Sequence, residues 1–175
     1  MQATISKAPI TWSGSLPNVP GLAGAVAGGF AGAVTVLLSL VIKNATNGNA
    51  ATLLDHGAVA LDRAGAFTLS SSDALIASAL LCVVGWATLG AIFGVVYHRV
   101  LRLTTDFGLP VYAGLAYGMI VYVIISFVVP IVDPLLATSA HLGTLMAQTL
   151  VFGIVLGLVY TALRPLPYTN THEYV

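Results

Sequence analysis

Residues 20–42 read PGLAGAVAGGFAGAVTVLLSLVI, and residues 110–118 read PVYAGLAYG. Both stretches open on proline and then place glycine at the same steps: Pro20, Gly24 and Gly28 against Pro110, Gly114 and Gly118, each pair 90 positions apart. The longer stretch contains no charged side chain. As a helix of that length it rises about 34 Å, against a hydrocarbon core of about 30 Å, so it reads as a membrane-crossing helix with modest tilt.

Three more apolar runs follow, and the chain as a whole is 58% hydrophobic and only 7% charged, far from the composition of a water-soluble domain. The expected layout is an N-terminal segment 1–19, a first span 20–42, an outer loop 43–73, a second span 74–100, an inner loop 101–109, a third span 110–132, an outer turn 133–141, a fourth span 142–163 and a tail 164–175. Pro20 and Pro110 suit a first helical turn, where a missing N–H costs nothing. Pro130 and Pro134 around Asp133 stop the third helix ahead of His141.

The second and fourth runs share another pattern, Gly90, Gly94, Val96 and Tyr97 against Gly153, Gly157, Val159 and Tyr160, with an offset of 63. GxxxG recurs by chance in glycine-rich helices, but two offsets that each hold over several residues predict a duplicated helical hairpin. The difference, 90 minus 63, is 27 residues and falls in the longer connection of the first hairpin. A unit with an even number of spans repeats in parallel, about a pseudo-twofold axis along the membrane normal. The expected fold is therefore all-α, four transmembrane helices as two parallel-repeated hairpins, with a short interfacial helix in the first outer loop. Glycines four apart share a helix face and let backbones approach closely, which marks Gly24, Gly28, Gly32, Gly90, Gly94, Gly114, Gly118, Gly153 and Gly157 as helix-packing residues.

Charge places the ends. Lys7, Arg99, Arg102 and Arg164 fall on the side of both termini, and only Lys43 and Arg63 on the other, which predicts cytoplasmic termini in a plasma membrane. Residues 1–19 lack the apolar core of a cleavable signal, so the first helix is expected to direct its own insertion.

The loop from Lys43 to Ser72 is the one large extramembrane segment. Leu54, Ala58 and Leu61 share one helical face, with Asp55, His56, Asp62 and Arg63 elsewhere, as in a short amphipathic helix at the outer interface. Leu54, Asp55, His56, Leu61 and Asp62 are the candidate partner-docking residues. Ser70, Ser71, Ser72 and Asp73 supply N-cap chemistry for the second span. Asn44, Ala45 and Thr46 form a glycosylation sequon that abuts the membrane.

No ionisable residue lies at membrane depth, where enzymes and proton carriers keep them. The deep polar side chains are Thr35, Ser39, Ser78, Thr88, Ser126, Gln148, Thr149 and Thr161. Gln148 with Thr149 is the candidate polar site, and interhelical hydrogen bonding is its plainest role. His98 and His141 stand at opposite membrane faces and cannot clasp one haem, while His56 with Asp55 and Asp62 lacks recognised metal spacing. Tyr97 and Tyr160 fit an interfacial aromatic belt. Tyr112, Tyr117, Tyr122 and Phe127 recur every five residues and make no stripe. Cys82 is a single cysteine, so no disulfide is expected, and zero net charge gives no case for nucleic acid. No catalytic motif is present, and no cofactor of the chain's own is expected, only lipids or a pigment or haem held by a neighbouring subunit.

Gly85 and Trp86, Ala113 to Gly118 with Pro130, and Phe152, Gly153, Gly157 and Tyr160 carry a resemblance to a family of short, functionally uncharacterised four-helix membrane proteins of bacteria and archaea, over about Leu22 to Leu163. The resemblance implies the four-helix architecture. That family tends to place histidines where this chain has Leu89 and Thr149, so no role attached to them carries over. Three functions are weighed from the whole: first a non-catalytic accessory subunit partnered by other membrane subunits, as in respiratory or photosynthetic assemblies; next a small homo-oligomeric transporter or channel for a neutral or small solute; last a redox or lipid-modifying enzyme, which would need a cofactor held by His98 or His141.

Overall fold

Pro20 starts the first helix because a residue without an N–H loses nothing there, and the helix, α1, runs from Pro20 to Ala45. A computed structural model describes residues 20–47, 52, 54–55, 57, 61, 71–101, 108–132 and 142–163. α1 extends three residues past Ile42 and is closed by Thr46 N–H on the Ile42 carbonyl, with Asn47 at φ 50°. Asparagine tolerates that left-handed backbone better than most residues, which makes it a helix C-terminal signal. α2 spans Ser71–Val95 and continues as a five-residue π-helical turn, Val96–Val100, closed by Leu101 N–H on the Val96 carbonyl. α3 spans Leu109–Val132 and α4 Leu142–Leu163. All four helices are long and apolar enough to cross a membrane, and no strand occurs among the described residues.

α1 and α2 pack antiparallel through backbone contact. A Cβ on Gly24 would strike the Gly90 carbonyl, and one on Gly94 the Pro20 carbonyl. On Gly28 it would lie 2.5 Å from the Trp86 carbonyl oxygen and 2.7 Å from Gly90 Cα. α3 and α4 pack the same way: Gly114 against the Gly153 carbonyl, Gly118 against that of Thr149 and Gly157 against that of Pro110. Glycine is needed at these crossings because any side chain would push the backbones apart.

The second buried ladder of α1 is Ala23, Ala27, Ala31, Thr35 and Ser39, and it ends on Ser39, whose Oγ accepts a hydrogen bond from Gln148 of α4. Small side chains along that ladder let α4 lie close to α1. The residues 90 positions further on are Ala113, Tyr117, Val121 and Ile125, which lie in or against the buried core, Tyr117 reaching Leu89 and Phe93 of α2. Here a tyrosine stands where α1 has Ala27, and the α2 and α3 backbones do not approach as those of α1 and α4 do.

Aromatic rings fill the centre. Trp86 and Phe152 lie 4.1 Å apart between centroids, and Phe93 touches Tyr97, Tyr117 and Tyr160 at 5.4 to 5.6 Å. Tyr97 and Tyr160 meet edge to face at 5.6 Å. These pairs, 86 with 152 and 97 with 160, ascend together, so α2 and α4 run in the same direction. The expected aromatic belt is therefore corrected at these two positions. Tyr97 and Tyr160 are both fully buried and face each other, because their rotation about the helix axes turns them inward at a depth that alone would suit an interface.

Candidate functional site

The buried polar side chains among the described residues are Thr35, Ser39, Thr52, Ser78, Gln148 and Thr149. All of them lie beyond Trp86 and Phe152 toward the end at which α1 finishes and α2 and α4 begin, called the loop end below. The aromatic core fills the opposite, terminal end. The interior thus has a polar half and an aromatic half.

Within the polar half the hydroxyls of Thr35, Ser39, Ser78 and Thr149 are satisfied locally. Thr35 Oγ1 donates to the Gly32 carbonyl at 2.8 Å, Ser39 Oγ to Thr35 at 2.9 Å and Ser78 Oγ to Leu75 at 2.9 Å. Thr149 Oγ1 lies 3.0 Å from both the Leu145 and Met146 carbonyls. Such back-bonding to the preceding turn is the usual way a helix hides a hydroxyl from lipid. Gln148 is different: its Nε2 donates across to Ser39 Oγ at 2.7 Å, linking α4 to α1. Ser126 Oγ on α3 is buried without a partner among the described residues.

The nine packing glycines pair helix against helix as set out above, except that Gly32 meets the Trp86 side chain, 2.7 Å from its Cβ. Of the candidate docking residues, Leu54, Asp55 and Leu61 have helical backbone, as does Gly57, while His56 and Asp62 lie outside the described residues. Leu54 is buried and Leu61 half-buried. Asp55 is held by its own chain. Lys43 Nζ at the end of α1 pairs with Asp55 Oδ1, and Oδ2 accepts from Thr52 N–H at 3.0 Å and Thr52 Oγ1 at 2.8 Å. The Asp55 N–H in turn donates to the Thr52 carbonyl at 3.0 Å. Burial pushes the Asp55 carboxyl up, but the hydrogen bonds from Lys43 and Thr52 and the Lys43 charge outweigh it and hold the group below the usual carboxylate range.

The segment rests on α2. A Cβ on Gly57 would lie 3.3 Å from Ser78 Cβ and 3.5 Å from Cys82 Sγ, two and three turns into that helix. Thr52 and Asp55, three apart, form a helix-start signal that sequence reading passed over. The spacing was available in the sequence; the Lys43 partner, twelve residues back across a turn, was not.

Among the described residues no three His, Cys, Asp or Glu side chains gather as metal ligands would. His141 and His172 lie outside them. What the described residues of the site offer chemically is hydrogen bonding and the Lys43–Asp55 ion pair.

The class of protein is thereby an all-helical chain with four membrane-length helices packed as two antiparallel pairs. Comparison with known protein families, with curated proteins and with solved structures found no match. The resemblance noted from the sequence carries architecture alone.

Proposed function

We propose that the chain is a non-catalytic accessory subunit of a larger membrane complex, of the respiratory or photosynthetic kind. The observation that carries this reading is the use made of Gln148, the one buried amide side chain among the described residues: it is fully enclosed and ties α4 to Ser39 of α1. A solute path needs polar groups on an open lumen, whereas a packing subunit needs them satisfied inside. The apolar side chains directed away from the core, among them Leu37, Leu80, Val84, Tyr112 and Phe127, supply contact with neighbouring subunits and lipid.

The two antiparallel pairs are copies of one hairpin in this reading, repeated in parallel. Three matched crossings support it: Pro20 with Gly94 and Pro110 with Gly157, Gly24 with Gly90 and Gly114 with Gly153, Gly28 with Trp86 and Gly118 with Thr149. Each obeys the offsets of 90 and 63. Tyr97 and Tyr160 then touch on the pseudo-twofold axis. The helical backbone at Leu54, Asp55, Gly57 and Leu61 supports a short helix in the loop, whose connection is 27 residues longer than that of the second hairpin and is the place where a particular partner is met. The cationic residues on the side of the termini support a cytoplasmic location for both ends in a plasma membrane.

A second reading, a small homo-oligomeric transporter or channel for a neutral or small solute, draws on the collection at one end of the buried polar side chains among the described residues. Solubilisation of native membranes in mild detergent separates the two. Co-migration of the chain with a much larger assembly, whose absorbance reports any pigment or haem of a neighbour, is the expected result. A pure small homo-oligomer would overturn the subunit reading in favour of the second.

A further inference from the structure

We draw no further inference here: the strongest candidate, the exposed patch on the outward face of α2 formed by Leu81, Gly85, Thr88 and Ile92, where a Cβ on Gly85 would meet nothing within 4 Å, carries none because nothing in the structure shows what covers it.

Discussion

The hydroxyl of Tyr117 on α3 donates to the main-chain carbonyl of Leu89 on α2 at 2.9 Å, and the tyrosine ring packs on Phe93 at 5.4 Å. One bulky side chain thus both bridges the two helices and holds them apart. Ala27, 90 residues earlier, is fully buried in the ladder along which α1 and α4 come close. Tyr117 thus stands between α2 and α3, whose backbones do not approach as those of α1 and α4 do.

Tyr117→Phe keeps the spacer and loses the hydrogen bond, which is expected to cost about 1 kcal/mol. Tyr117→Ala removes the spacer as well, and the α2–α3 separation should shrink toward that of α1 and α4. Spin labels on lipid-facing positions of α2 and α3 measure it. An unchanged distance in Tyr117→Ala would mean that some other group sets the seam.

Gly24→Ala and Gly90→Ala each drive a Cβ into a facing carbonyl, so each should destabilise the bundle by about 1–3 kcal/mol through overpacking. Gly85 is the internal control. It lies within α2 with nothing inside 4 Å of an added Cβ, so Gly85→Ala should be neutral or stabilise by roughly 0.5–1 kcal/mol through helix propensity. Thermal unfolding in detergent ranks the three variants. Equal losses at Gly85 and Gly24 would remove close packing as the reason for glycine at the crossings.

Gln148→Leu removes the hydrogen bond to Ser39 but leaves the Ser39 hydroxyl its own bond to the Thr35 carbonyl at 2.9 Å. The expected loss is about 0.6 kcal/mol, and at most about 1.7, the range of such interhelical bonds within membranes. If the chain conducts a solute, the same variant should lower flux far more than it lowers stability. Unfolding and flux measured on one preparation therefore distinguish a structural amide from a path-lining one.

The spans were legible because a run such as 20–42 has no charge to place in water, and the glycine crossings because only a missing Cβ lets Gly24 meet Gly90. Position along a helix gives depth, however, and not rotation. That is why Tyr97 and Tyr160 suited a belt on the sequence and lie buried against each other in the fold. The Tyr117 seam needed the same missing information: the offset pairs it with Ala27, but only the neighbouring helix tells what a tyrosine there will touch. In the loop the Thr52–Asp55 spacing was readable as a helix start, while Lys43 and Asp55 meet only because α1 runs on to Ala45 and turns at Asn47. Gln148 was singled out for its chemistry, and its partner Ser39, 109 residues away, could come only from packing.

The Asp55 carboxyl, held below its ordinary value, makes its contacts with Thr52 and Lys43 sensitive to acid. A depressed folded pKa means that the ionised form is favoured by the fold. Its stabilising contribution is complete above the unfolded carboxylate value of about 3.9 and disappears as pH falls through the lower folded value. The Thr52 amide donates to Asp55 Oδ2 at 3.0 Å and is the natural probe. Its protection against hydrogen exchange, corrected for the intrinsic pH dependence of exchange, should stay level from neutral pH down to about 4 and fall below that. In Asp55→Asn the protection should be low throughout, without the acid step, because the amide side chain cannot pair with the Lys43 charge. A step at the same pH in both proteins would assign the titration to another group and leave Asp55 as a cap whose charge is immaterial.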